Sequence, residues 1–275
     1  MPTDTGVMPT DLVTPRKDDV RDFWSADPCG SRYLEGKENF DAHAYARYQL
    51  EPYIFDFARF QGASGLRVLE VGIGTGADYL EWLKAGARAS GVDLSAASVE
   101  KARKRCLLAG HKPDLLVADA EQLPFADDSF DIVYSYGVMH HSPDTAQCVK
   151  QAFRVLKPGG QARIMIYHDP SLTGAMLWLR YGLVQGKSLR QAVFDHLESP
   201  GTKTYTCAEA RSLFSEFKDV RMQLVFSPGD LLMHKRSARY QSAFYRLLWS
   251  LYPRTLMRKV GSRWGLFLLI TATKP

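Results

Sequence analysis

What the sequence lacks narrows its class first. Its four cysteines, Cys29, Cys106, Cys148 and Cys207, lie far apart and form no CxxC pair. That argues against a zinc site and against a disulfide framework, and each reads as a small buried apolar residue. A spanning helix needs roughly 20 consecutive apolar residues, and the longest apolar stretches, Trp264 to Ala272 and Ala175 to Leu179, fall well short of it. Met1 to Pro15 lacks the basic-then-apolar order of a signal peptide, so the expected location is the cytoplasm. Acids are missing from one stretch. Between His234 and Trp264 there are eight of the chain's 35 Lys and Arg and none of its 30 Asp and Glu, which leaves the rest slightly acidic. The basic character belongs to a single segment.

What is present is ordinary globular composition, 45% hydrophobic and 24% charged over 275 residues, which excludes disordered and collagen-like classes. Residues 1–19 are polar and form a leader expected to be disordered, because few apolar groups offset its ordering entropy. Residues 20–62 are rich in aromatics and read as a helical cap broken at Pro28-Cys29-Gly30. From Gly65 short β runs alternate with helical stretches, the signature of βαβ units and a mainly parallel sheet. Strands are expected at Arg67–Val71, Ala87–Val92, Leu115–Ala118, Asp131–Tyr134 and Ala162–Tyr167, with helices at Ala77–Ala85, Ala96–Ala109 and Thr145–Leu156. Lys157-Pro158-Gly159-Gly160 reads as a helix stop and turn. Helix Cys207–Phe217, a strand near Val220–Phe226 and a last strand at Leu266–Ala272 complete the alternation.

Gly72-Ile73-Gly74-Thr75-Gly76-Ala77 follows the first strand and opens a helix, where the backbone approaches a ligand without a Cβ in the way and free N–H groups face outward. This cradle alone also fits the dinucleotide pattern, and Asp93, expected on ribose hydroxyls, fits both. Glu70 before the glycines and Asp119 after the third strand favour a ligand with a cationic amino-acid end, a ribose and an adenine. An anionic pyrophosphate would not favour an extra carboxylate beside its loop.

With Val68-Leu69-Glu70-Val71-Gly72-Ile73-Gly74-Thr75-Gly76, Gly91-Val92-Asp93-Leu94-Ser95, Asp119-Ala120-Glu121-Gln122-Leu123-Pro124-Phe125, Ser129 to Val133, Val138-Met139-His140-His141 and Arg154 to Gly160, the chain resembles a class I S-adenosylmethionine-dependent methyltransferase of the bacterial small-molecule, type 11-like group. The likeness spans roughly Leu66 to His168. It implies an α/β fold, a Rossmann-like doubly wound sheet of seven strands, with the N-terminal helical cap and helical insertions after strand five and between strands six and seven. The methyltransferase domain would then run over 63–275, with insertions at about 170–204 and 232–263.

The resemblance implies S-adenosyl-L-methionine as cofactor and gives the residues roles. Glu70 holds the methionine amino end, Gly72, Gly74 and Gly76 permit close backbone approach, Asp93 binds the ribose, Leu94 packs beside the adenine, and Asp119 with the Ala120 backbone reads its edge. Tyr136, beyond the fourth strand, stands where an aromatic face can wall the sulfonium. His168 and His141, with Tyr167, are the candidates for handling an acceptor's proton, since imidazole titrates near neutral pH; loop bracing is the competing reading of His140 and His141. No metal is expected.

The expected partner is a small acceptor, hydrophobic or lipid-linked. Residues 235–263, with Tyr240, Phe244, Leu247, Trp249 and Leu251 among the cations, read as a contact with anionic membrane or as a lid over the site. Cations with interleaved aromatics also suit single-stranded nucleic acid, but no dedicated nucleic-acid domain is recognisable. The rival functions are an RNA methyltransferase, a cofactor-binding protein of this fold without methyl transfer, and a nicotinamide oxidoreductase.

Overall fold

The computed structural model describes residues 16–26, 37–199, 201–233, 252–255, 257 and 262–275. One sheet organises them. Its strands are β1 (Arg67–Val71), β2 (Arg88–Asp93), β3 (Asp114–Val117), β4 (Phe130–Tyr136), β5 (Leu156–Tyr167), β6 (Lys218–Val225) and β7 (Phe267–Thr273). They lie in the order β3-β2-β1-β4-β5-β7-β6. The pairs β1–β2, β2–β3, β1–β4 and β4–β5 are parallel, and β7 runs antiparallel between β5 and β6. The strand order reverses at β1 and β4, the point where open α/β sheets bind ligands beyond their carboxyl ends.

The expected α/β, doubly wound sheet of seven strands is therefore present. Side chains alternate across a strand, and β1 feeds two cores accordingly. Leu69 and Val71 join Val133, Ile164 and Phe214 on one side. Val68 joins Ile132, Tyr134, Tyr79, Trp82 and Phe60 on the other. Helices α4 (Ala77–Lys84) and α5 (Ala96–Leu108) connect the first three strands, and α6 (Thr145–Val155) connects β4 to β5. Their starts follow from side chains that satisfy orphan N–H groups: Ser95 accepts from Ser98 and Asp144 from Gln147. Helix α9 (Cys207–Leu213) opens with a full capping box between Thr206 and Glu209.

Three local expectations change. Lys17 to Asp19 are not part of a disordered leader, because helix α1 (Lys17–Ala26) begins at Lys17 with Asp18 and Asp19 in its first turn, where acids suit the helix dipole. Lys157 to Gly160 do not simply separate α6 from a strand. Leu156 already pairs with Phe130, the ladder resumes at Gln161 opposite Ile132, and the residues between are an excursion within β5. Helix α9 stops at Leu213 rather than Phe217, and Phe214 turns into the core.

The cap contributes α2 (Lys37–Leu50) and α3 (Tyr53–Ala58). The insertion after β5 contains α7 (Leu172–Leu177), a π turn over Trp178–Gly182 and α8 (Leu189–His196). Most of the basic segment, together with Cys29, lies outside the described residues. Cys106 and Cys148 are buried and Cys207 is half-buried.

Gly76 and Gly110 separate backbone strain from packing. Both have positive φ, 75° and 79°, but a Cβ on Gly76 would stand 2.7 Å from the Ala102 Cβ and 2.9 Å from its Cα, whereas one on Gly110 would meet nothing within 4 Å. Gly110→Ala is expected to cost about 1 kcal/mol from the left-handed backbone alone. Gly76→Ala should cost about 3 kcal/mol or more, because α5 must also move. Urea unfolding of both variants measures this, and equal losses would mean that contact with α5 does not select the glycine.

Candidate active site

The glycine loop and Asp93 form one unit. The N–H groups of Gly72 and Ile73 donate to the Val92 carbonyl at 2.8 and 3.2 Å, tying the loop to the end of β2. Asp93 takes the Gly74 N–H on Oδ2 and the Ser95 N–H on Oδ1, each at 2.9 Å. Burial raises the Asp93 carboxyl above its ordinary value, and these N–H groups oppose the rise. Gly72 is required by packing as much as by a ligand, since a Cβ there would lie 2.2 Å from the Val138 side chain.

Beneath the loop sits a carboxylate with no assigned role in the sequence reading. Asp78, in the first turn of α4, accepts the Tyr48 hydroxyl at 3.0 Å on Oδ1. Its Oδ2 accepts Arg47 Nη2 at 2.9 Å and the Tyr134 hydroxyl at 2.8 Å. Cap, α4 and β4 thus meet on one side chain that is 5% exposed. Arg47 also lies 5.1 Å from the centre of the Tyr136 ring, so the cation that Tyr136 faces is this guanidinium. Arg47 and Tyr48 stood out in the sequence only as part of the cap. Asp78 carried no signal there beyond that of an acid suiting a helix start.

Glu70 is 3% exposed, and among the described residues its Oε2 finds no hydrogen-bond partner. Burial and the charge of Asp78 push its carboxyl well above the usual carboxylate range, with Arg47 opposing. Burial raises Glu51 as well. Arg47 Nε is also buried without a partner. Two unsatisfied atoms of opposite character therefore lie in the same buried cluster, where an unmade hydrogen bond costs about 1–3 kcal/mol.

Helix α1 straps the carboxyl edge of the sheet. Lys17 Nζ lies 2.6 Å from Asp119 Oδ2 and 2.5 Å from Glu121 Oε2. Ser25 reaches Ser95 at 3.3 Å, and Trp24 packs edge-on to His141 with ring centres 5.3 Å apart. Asp119 also accepts the Glu121 N–H at 2.8 Å, so its carboxylate is engaged on both oxygens. Leu94 and Ala120 are half-buried beside it.

On the other side of the sheet switch point, His140 is fully buried with both ring nitrogens unpartnered among the described residues. Burial, then the neighbouring His141, hold it well below the ordinary imidazole value. Its ring centre is 3.8 Å from that of Tyr167. His141 Nδ1 lies 2.9 Å from Ser199 Oγ and 3.1 Å from Thr202 Oγ1, and its Nε2 faces Glu198 Oε2 at 3.4 Å. The Tyr167 hydroxyl donates to the same Glu198 oxygen at 2.8 Å. His168, next along the strand, contacts the Gly265 carbonyl through Nδ1 at 3.2 Å, and burial lowers its pKa. The fold thus brings His141 and Tyr167 together and ties His168 to backbone. Glu198, Ser199 and Thr202, in the insertion, had no sequence signal. Among the described residues no group of three His, Cys, Asp or Glu could hold a metal ion.

Residues 69–164 match the family described as a methyltransferase domain. The chain is 38% identical over 112 residues to the methyltransferase GfsG of Streptomyces halstedii, covering 39% of this chain and 40% of that protein. It is 41% identical over 108 residues to the phthiotriol/phenolphthiotriol dimycocerosates methyltransferase 1 of Mycobacterium ulcerans, covering 38% of each. The chain thus matches about two-fifths of the length of these curated relatives. The solved structure of magnesium protoporphyrin IX methyltransferase from Synechocystis with bound SAH shares the fold, with a TM-score of 0.60 at 15% identity over 94% of this chain and all of that one. In its strand order, its glycine loop and the match of residues 69–164 to the methyltransferase domain, the chain is similar to class I S-adenosylmethionine-dependent methyltransferases.

Proposed function

We propose that this chain transfers a methyl group from S-adenosylmethionine to a small acceptor. The observation that carries the reading is the pair of buried, unpartnered atoms under the glycine loop, Glu70 Oε2 and Arg47 Nε. An α-amino acid satisfies both, its ammonium at Glu70 and its carboxylate at Arg47. Asp93 would hold the ribose hydroxyls, Leu94 would pack beside the adenine, and Asp119 with the Ala120 backbone would read its edge. Tyr136 and Glu51 would line the pocket at the sulfonium. When bound, the cofactor supplies an electrophilic methyl group. The chain's residues supply position and exclusion of water, and α1 closes over both.

We further propose that the acceptor is hydrophobic or lipid-linked and that the enzyme works in the cytoplasm, touching anionic membrane through residues 235–263. No helix among the described residues is long and apolar enough to cross a membrane. Support comes from the eight cations without an acid and from an apolar tip on the insertion, where Leu179, Leu183 and Val184 are exposed. The phthiotriol-type name of one relative agrees with a hydrophobic acceptor. Nucleic acid is the weaker reading, since nothing in the described residues forms a dedicated binding module for it.

Asp93→Ala should weaken S-adenosylhomocysteine about ten- to a hundred-fold, the worth of a charge-assisted hydrogen bond of about 1.5–3 kcal/mol. Calorimetric titration of the folded variant measures it, and unchanged affinity would remove Asp93 from the site. The affinity of wild-type protein should also rise with pH. Glu70 holds a proton in the free protein because its pKa is raised, and a bound ammonium favours the carboxylate. Binding therefore releases a proton at pH values between the lower pKa of Glu70 in the complex and its raised pKa in the free protein, and the dependence fades outside that window. Titrations in two buffers of different ionisation enthalpy count that proton. Release that persists in Glu70→Gln would assign it to another group.

The membrane contact predicts co-sedimentation with vesicles that grows with anionic lipid and falls with salt, since each cation near the surface contributes about 1 kcal/mol and is screened. Arg254 holds the Leu231 and Leu232 carbonyls, so the test changes Arg239, Arg246 and Arg258 to Gln. Wild-type protein that ignores anionic vesicles at low salt would make the segment a lid or a partner surface.

A further inference from the structure

The insertion after β5 folds back on itself as a helical hairpin, with α7 and its π turn going out and α8 returning. Its arms are closed from within. The Trp178 indole N–H donates to the Lys187 carbonyl at 2.9 Å, the Lys187 N–H donates to the Gly182 carbonyl at 3.0 Å, and the Tyr181 ring stacks on His196 with centres 4.2 Å apart. Gly182 lets the arms meet, since a Cβ there would stand 2.6 Å from the Trp178 ring and 3.3 Å from the Ala192 Cβ. The base is tied to the body of the protein. Arg190 reaches Asp169, just beyond β5, at 2.8 Å and takes both oxygens of Glu209 at 2.8 and 2.7 Å. Thr173 donates its N–H and its hydroxyl to the buried Asp230.

The tip of this closed hairpin leaves apolar side chains in water. Leu179, Leu183 and Val184 are 58%, 54% and 91% exposed. Leu183 and Val184 follow Leu179 by four and five residues, and in a π turn that spacing brings both to the side of Leu179. No acid occurs between Pro170 and Phe194, where the cations are Arg180, Lys187 and Arg190. Arg180 is exposed on the tip itself, and the first acid after it, Asp195, is paired with Lys187 at 2.9 Å. Apolar surface and positive charge therefore stand together without a carboxylate between them. Three such side chains offer on the order of a few hundred Å², short of the roughly 800 Å² that each partner of a stable protein interface buries. An anionic bilayer needs no such area, because aliphatic groups enter its acyl boundary while cations meet its headgroups.

We propose that the hairpin tip is a membrane anchor that inserts Leu179, Leu183 and Val184 into an anionic lipid surface. The inference deepens the membrane reading above and rests on it, adding a second point of contact outside the basic segment. Because the base of the hairpin is bonded to Asp169, docking the tip holds the end of β5, with Tyr167 and His168, at a set distance from the lipid. The acceptor that suits this arrangement is an amphiphile resident in the same surface.

Co-sedimentation of the full chain with phosphatidylcholine vesicles, with and without phosphatidylglycerol, tests the anchor. The double variant Leu183→Ser/Val184→Ser removes apolar surface and no charge, and its thermal unfolding should match the wild type because both side chains are exposed. Burying one such side chain is worth roughly ten- to a hundred-fold, so the variant is expected to partition at least about ten-fold more weakly onto the anionic vesicles. Equal partitioning of a folded variant overturns the anchor, and if that shared binding falls when Arg239, Arg246 and Arg258 are changed to Gln, the basic segment makes the contact alone. Wild-type protein that ignores anionic vesicles at low salt removes the membrane reading and the anchor with it. Sedimentation velocity without lipid tests the other occupant: a dimer that the serine pair turns into monomers would make the tip an interface between copies and overturn the proposal.

Discussion

The contact on which the site depends is the carboxylate of Asp78. It is buried and takes three donors, from Arg47 and Tyr48 of the cap and Tyr134 of the sheet. A buried charge left without partners is severely destabilising, whereas one that is paired and hydrogen-bonded is tolerated. Asp78 therefore fixes the cap to the sheet at the point where the glycine loop turns. It also places a negative charge beside Glu70 that, after burial itself, raises the pKa of that carboxyl. The placement of the cap and the electrostatics under the glycine loop share this one contact.

The rest of the cleft is arranged around that floor. Gly72 and Gly76 are dictated by the close approach of Val138 and Ala102, so the loop that would hold the cofactor is shaped from behind by packing. Asp93 is held by two backbone N–H groups before any ligand is considered. Lys17 and Trp24 let a single short helix touch both the Asp119 end and the His141 end. Helix α1 therefore bridges the two ends of the sheet's carboxyl edge.

The sheet, the glycine loop and the position of Asp93 at the end of β2 were legible in the sequence because their signals are local. β1 is a short apolar run ending in glycines at fixed spacing, and Asp93 falls at the end of the next run. Asp78, Arg47, Tyr48 and Tyr134 were not legible as a group, since they come from three elements and each alone suits an ordinary helix or strand. Lys17 was hidden by the polar composition before it, although Asp18 and Asp19 mark a helix start. Glu198 follows a helix in a segment with no periodic pattern, and only tertiary contact brings it to Tyr167. The four residues after Leu156 read as a turn because Pro and Gly are turn formers, yet the ladder accommodates them as an excursion.

The central claim is that the buried pair of Glu70 and Arg47 recognises an amino-acid end. Calorimetric titration of the wild-type protein with S-adenosylhomocysteine and with 5′-methylthioadenosine, which keeps the nucleoside and lacks that end, tests it most directly. Two charge-assisted contacts of about 1.5–3 kcal/mol each predict at least about a hundred-fold tighter binding of S-adenosylhomocysteine. Equal affinities would contradict the account, because the two unpartnered atoms would then be recognising nothing.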